Sequence, residues 1–137
     1  LDESGILHTI EIDDELEHIF SKYFAQSAYA QNIVYHIGDA RTIMTTLNET
    51  FDLVFLDGDK RQYTDYYNIL MDNKLVNPGG YIFADNVLWS GKVVENVKSS
   101  DKQTINILKF NELVAKDNRV ENVILPIRVG MNIIRVK

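Results

Sequence analysis

Apolar and polar positions along this chain alternate between two periods, and the points where the period switches mark out its elements. Ile6 to Ile12 (ILHTIEI) is β-branched and mostly apolar, which predicts a strand with acid, Glu11 and Asp13, at its carboxyl end. Asp13 is placed as a helix N-cap, with Asp14 and Glu15 in the first turn. Leu16, Ile19, Phe20, Tyr23 and Phe24 then recur at helical spacing and predict an amphipathic helix. Ile33 to Ile37 (IVYHI) is a second strand closed by Gly38 and Asp39, and Ala40, Ile43, Met44 and Leu47 mark a short helix after it.

Phe51 to Leu56 (FDLVFL) is apolar at five of six positions and predicts a third strand, buried on both faces of a parallel sheet. Tyr63, Tyr66, Tyr67 and Leu70 give the next helix its apolar face, and Asn77, Pro78, Gly79 and Gly80 predict a turn. A fourth strand, Tyr81 to Ala84, ends on Asp85 and Asn86. The stretch from there to about Asp101 is too long for a mere connection, so it is a candidate lid or substrate loop. Thr104 to Lys116 predicts a helix with Ile107, Phe110, Leu113 and Val114 inward. VENVILPI and GMNIIRVK then form two strands around a turn at Arg128 to Gly130, an antiparallel hairpin. Alternating strands and helices with a terminal hairpin give an α/β fold, a sandwich on a mostly parallel sheet.

Composition narrows what such a fold can do. At 137 residues and 45% hydrophobic, the chain is expected to form one domain over residues 1–137. A net charge of -6 and a pI near 5.0 argue against nucleic acid or an anionic membrane surface as partner. The absence of cysteine excludes disulfides and thiolate metal sites, and a cytoplasmic location is expected. No apolar run approaches the roughly 20 residues of a membrane span, and LDESGILHT is not signal-like.

The chemistry gathers at the strand ends. Glu11, Asp39, Asp57 with Asp59 and Lys60, and Asp85 with Asn86 each close a predicted strand, and in open α/β sheets ligands collect beyond the carboxyl ends. Clustered carboxylates repel unless a cation or a hydrogen-bonded ligand compensates. Asp57, Asp85 and Asn86 offer three oxygen donors, a partial shell suited to Mg²⁺. The competing reading makes some of these acids helix N-caps only. His8, His18 and His36 are scattered without ligand spacing and are taken as structural.

Taken together, HTIEID, GDA, FDLVFLDGDKRQY, PGG and ADNVLWSGKVV resemble the cation-dependent class I O-methyltransferases, the group that includes catechol and caffeoyl-CoA O-methyltransferases and their bacterial relatives. The pairing of DGDK with ADNVLW is the specific part, and the resemblance runs over the whole chain. It implies a Rossmann-like three-layer sandwich and S-adenosylmethionine as cofactor. Glu11 would then accept hydrogen bonds from the ribose hydroxyls, and Asp39 and Ala40 would lie by the adenine. Asp59 would lie near the methionine end, with Asp57 beside it. Asp57, Asp85 and Asn86 would hold Mg²⁺, or Mn²⁺ or Ca²⁺, and Lys60 would be the general base with Asp57 in the catalytic pair. Trp89 would line the acceptor pocket, with Tyr63 as a neighbour. The implied substrate is a catechol-like or vicinal-diol phenol, and the implied assembly a homodimer.

Each role has a plainer counterpart: Lys60 as a solvated lysine at a helix start, Trp89 as loop packing. The family's glycine-rich loop, E-x-G-x-x-x-G, precedes the strand ending in the ribose-binding acid, and none of the seven glycines here forms it. The expectation is therefore a C-terminal part of a methyltransferase, lacking the first strand and that loop, with open sheet edges and weak cofactor binding. Three alternatives remain: a haloacid-dehalogenase-type phosphatase using Asp57 in D-x-D, although Arg61 stands where that motif carries Thr or Val; a nicotinamide-dependent dehydrogenase, disfavoured for want of G-x-G-x-x-G; and a non-catalytic partner that keeps the fold.

Overall fold

The computed structural model describes residues 4–137. The chain divides into two compact units, Leu1–Leu47 and Asn48–Lys137.

In the first unit, strand β1 (Leu7–Glu11) pairs in parallel with β2 (Ile33–Ile37), Leu7 opposite Ile33 and Glu11 opposite Ile37. A 3-10 turn over Asp14–Leu16 leads into helix α1 (Glu17–Phe24), and α2 (Ala40–Met44) follows β2. Asp13 caps as expected, its side chain accepting from the Glu15 N–H at 3.0 Å. The inward face predicted for α1 is not buried: Ile19 and Tyr23 are exposed, and Met44 is the unit's one buried hydrophobic residue among those described. Two short strands offer too little surface to cover an amphipathic helix.

The second unit holds a four-stranded sheet in the order β3-β4-β6-β5. β3 (Phe51–Leu56) runs parallel to β4 (Val76–Asp85), β4 pairs antiparallel with β6 (Met131–Val136), and β6 with β5 (Val120–Leu125). The terminal hairpin is as read. The parallel pairs β1-β2 and β3-β4 belong to separate ladders among the described residues, where the sequence suggested one mostly parallel sheet. Asn77 to Gly80 do not break the chain as a free turn. They lie inside β4, at an irregularity opposite Phe51 to Leu53 where Gly79 takes φ +85.

Helices α3 (Tyr63–Asp72) and α4 (Lys102–Lys116) supply Tyr63, Tyr67, Leu70, Ile107, Phe110 and Val114 to the core. From the sheet come the alternating Leu56, Ile82, Ala84, Ile134 and Val136. The opposite face carries Leu53, Phe55, Tyr81 and Val123, all exposed. This corrects the reading of β3 as buried on both faces: Leu53 is 56% and Phe55 58% exposed. A run apolar at both parities carries no signal for which face is covered, and only the Val54/Leu56 parity turns toward the helices' side of the sheet.

Candidate functional site

In the second unit the site begins where the β3-β4 ladder stops. Leu56 is opposite Ala84 in parallel register, so Asp57 and Asp85 are the next residues at neighbouring strand ends. One side chain joins these ends. The Tyr63 hydroxyl, on the first residue of α3, lies 3.0 Å from the Leu56 carbonyl oxygen and 3.1 Å from that of Asp85, a donor shared between two acceptors. Burial, and then the charges of Asp57 and Asp85, push this phenol above its ordinary range, so it stays a neutral donor.

Lys60 opens the 3-10 turn before α3 and is buried. Its Nζ donates to Asp57 Oδ1 at 2.6 Å and stands 5.0 Å from the centroid of the Tyr63 ring. A lysine sunk beside one carboxylate and one aromatic face is not the solvated helix-start residue of the plainer reading. Asp85 Oδ1 accepts from the Asn86 N–H at 2.7 Å, and Asn86 itself takes φ +63. Two carboxylates and an amide thus cap adjacent strands, oxygen donors whose chemistry suits a hard divalent cation. Among the described residues no three His, Cys, Asp or Glu side chains cluster as a metal centre. The expected set has only two such side chains, its third donor being the Asn86 amide.

Asp59 does the work of a cap. It accepts from the Arg61 N–H at 2.9 Å and from the Arg61 guanidinium, whose hydrogen bonds hold its carboxyl below the usual range. Tyr63, expected as a neighbour of the acceptor pocket, is fully buried, its ring edge-on to Phe110 at 5.4 Å and its hydroxyl on backbone carbonyls. It supports the site from beneath. Trp89 is half-buried, at φ +45, in a kinked 3-10 segment over Trp89–Val94. That segment is tied down at its start: the Val87 N–H donates to Gly130 O at 3.0 Å, the Leu88 N–H to Val129 O at 2.9 Å, and Asn111 Nδ2 to Val87 O at 2.9 Å. A hollow lined by Lys92, Glu95, Val97, Lys98 and Asp101 lies farther along the same loop and takes in none of the candidate residues.

In the first unit, Glu11 Oε1 accepts from the N–H groups of Ile12 and Asp13 at 2.8 and 3.0 Å, folding the carboxylate over the end of β1. Asp39 caps α2, accepting from the Arg41 N–H at 2.8 Å and pairing with its guanidinium at 2.7 Å, contacts that lower its pKa. Ala40, half-buried, starts that helix. The capping alternative therefore describes the Asp39 and Asp59 contacts, while Asp57 and Asp85 make none of that kind. His8 and His36, read as scattered, meet across the ladder with Nδ1 and Nε2 3.1 Å apart and the rings stacked.

A family model described as O-methyltransferase matches residues 1–137. The chain belongs to the O-methyltransferase family. Among curated relatives in this family, caffeoyl-CoA O-methyltransferase 2 of Eucalyptus globulus is 30% identical over 98% of this chain and 58% of its own length, and caffeoyl-CoA O-methyltransferase 5 of Nicotiana tabacum is 28% identical over 97% and 59%. The chain thus spans less than two thirds of these relatives. Of solved O-methyltransferase structures, that from Bacillus cereus in complex with SAH is 27% identical with a TM-score of 0.88, covering 100% of this chain and 65% of that one. TomG from Streptomyces achromogenes, solved in complex with SAM, is 25% identical with a TM-score of 0.89, covering 100% and 64%. The α/β fold is that of Rossmann-like methyltransferases, and the family match favours neither the phosphatase nor the non-catalytic alternative.

Proposed function

We propose that the protein to which this chain belongs transfers a methyl group from S-adenosylmethionine to a phenolic oxygen of a catechol-like or vicinal-diol small molecule, assisted by a divalent cation. The observation that carries the reading is the buried Lys60 paired with Asp57 beside the end of β4, within a chain matched along its whole length by an O-methyltransferase model.

Asp57, Asp85 and Asn86 are the residues that would hold Mg²⁺ or Mn²⁺. A bound cation would supply Lewis acidity to the acceptor hydroxyls. Glu11, ending β1 as a hydrogen-bond acceptor, suits a ribose diol, with Asp39 and Ala40 toward the adenine and Asp59 toward the methionine end. In the transfer, the phenolic oxygen displaces the sulfonium sulfur at the methyl carbon. The hydroxyl proton passes to Lys60, which acts as base in its neutral amine form after the resting ammonium has given a proton to solvent, and S-adenosylhomocysteine leaves. Trp89 belongs to the acceptor side, a homodimer is the assembly and the cytoplasm the compartment of this reading.

The test is methyl transfer from labelled S-adenosylmethionine to a catechol panel by the intact gene product. Lys60→Met is expected to lower turnover by about 10²- to 10⁴-fold with cofactor binding unchanged. Chelation is expected to abolish turnover and Mg²⁺ to restore it. Full activity in Lys60→Met, or indifference to chelator, refutes the respective role.

A further inference from the structure

We propose that Tyr63 is the positioning residue of this site: by one hydroxyl shared between the Leu56 and Asp85 carbonyls it fixes the separation of the β3 and β4 ends, and hence of Asp57 from Asp85 and Asn86. The inference rests on the reading of those three residues as a cation site.

Strand ends beyond the last ladder pair diverge, because twist rotates neighbouring strands relative to one another and no further backbone hydrogen bonds hold them together. Here the last β3-β4 pair is Leu56 with Ala84, and the candidate donors come immediately after it. The Tyr63 bridge replaces the missing rung, from a side chain that has no freedom to leave. Tyr63 is fully buried, and its ring is held edge-on by Phe110 of α4 at 5.4 Å with an interplanar angle of 75°. The same ring faces Lys60 Nζ at 5.0 Å, so one residue sets the spacing of the oxygen donors and the seat of the candidate base. Being buried, it acts through the groups it holds, Asp57, Asp85 and Lys60. Groups that orient a metal's ligands in this way are typically worth about 10- to 100-fold in metal affinity.

The experiment is a titration of the protein with Mn²⁺ alone, following loss of the free-ion EPR signal, on wild type, Tyr63→Phe, Tyr67→Phe and Asp85→Ala. Tyr67 is also fully buried, with its hydroxyl on Asp117 Oδ2 at 2.9 Å, so Tyr67→Phe controls for losing a buried phenol elsewhere. Tyr63→Phe is expected to weaken Mn²⁺ binding at least tenfold, Tyr67→Phe to leave it unchanged, and Asp85→Ala to abolish it. Wild-type affinity in Tyr63→Phe, with loss in Asp85→Ala, overturns the positioning role and leaves the cation site standing. Equal binding by wild type and Asp85→Ala overturns the cation site and this inference with it. Where Tyr63→Phe does not fold, wild type labelled with ¹³C at tyrosine Cζ decides: Mg²⁺ is expected to move the Tyr63 resonance in wild type and not in Asp85→Ala, and an unmoved resonance overturns the proposal.

Discussion

The ammonium of Lys60 stands 2.6 Å from Oδ1 of Asp57, the lysine side chain 10% exposed and the aspartate 49%. The asymmetry matters, since the buried partner depends on the exposed one. Removing Asp57 leaves a nearly buried ammonium with an aromatic face and no counter-charge, whereas removing both charges together relieves the problem. Asp57→Ala is expected to cost about 1–2 kcal/mol, reduced from the cost of a fully buried pair because Asp57 is half in water. The double variant with Lys60→Met is expected to cost less than the sum of the singles by about 1 kcal/mol. Urea unfolding of the four-member cycle measures both.

Asn86 joins a proposed cation-donor role to a backbone role, and the two separate by substitution. At φ +63 it occupies a region open to glycine and tolerated by asparagine, but costly for alanine. Asn86→Gly is expected to hold stability within about 0.5 kcal/mol of wild type, and Asn86→Ala to fall about 1 kcal/mol below it. Both are expected to lose Mn²⁺ affinity equally. Thermal unfolding and metal titration of the pair provide the check.

The anchor of the Trp89 segment is sterically tight at Gly130. A Cβ there would collide with Leu88 Cγ and sit 2.8 Å from the Leu88 backbone nitrogen, on a residue at φ +87. Gly130→Ala is expected to cost about 2–3 kcal/mol and to displace Leu88 and Trp89. Because Trp89 is the single tryptophan, its fluorescence reports the displacement directly. Trimming Leu88 to Ala is expected to recover only part of the loss, since the backbone contact persists.

How much of this was legible from residue order depended on the kind of signal. Helices α3 and α4 and the terminal hairpin follow from periodicity, because Tyr63, Tyr66, Tyr67 and Leu70, or Ile107, Phe110 and Val114, recur at spacings that only a helix turns to one side. Asp57, Lys60, Asp85 and Asn86 were legible because polar residues end apolar runs. The Tyr63 bridge was not. A tyrosine on an apolar helix face carries no mark of where its hydroxyl goes, and the carbonyls it meets belong to backbone that any sequence would supply. Asn111 under Val87 and the His8-His36 contact are hidden for the same reason, being set by register and not by spacing along the chain. The exposure of Leu53 and Phe55 also lay beyond pattern, since an unbroken apolar run looks the same whichever face is covered.

Acid sensitivity is expected to centre on Asp117. Hydrogen bonds from Arg119 first, with others from the Arg119 N–H and the Tyr67 hydroxyl, lower its carboxyl to about 2 from 3.8. A carboxyl depressed in the folded state contributes stability that is complete above the unfolded value near 4 and is lost as pH falls toward about 2. The contribution at neutral pH is about 2 kcal/mol. Asp117→Asn is expected to be less stable at pH 7 and to show a flatter decline between pH 4 and 2, read from urea midpoints against pH.

The two parities of β3 are expected to respond in opposite ways to charge. Val54 and Leu56 share a parity with Ile82, Ala84 and Ile134, which are buried, and Leu56 itself is 7% exposed. Leu53 and Phe55 share theirs with Tyr81 and with Val123, across β6, and stand more than half in water. A lysine at Leu56 must bury an unpaired ammonium or open the core, and is expected to unfold the chain. At Leu53 or Phe55 the same lysine keeps its charge in solvent, and is expected to change stability by no more than about 0.5–1 kcal/mol. It should also suppress self-association, because among the described residues β3 pairs on one side only, and an apolar edge strand is what a second chain adds to. Sedimentation velocity against concentration and urea unfolding of Leu53→Lys, Phe55→Lys and Leu56→Lys test this. Unfolding by Phe55→Lys to the extent seen with Leu56→Lys would return β3 to a strand covered on both faces.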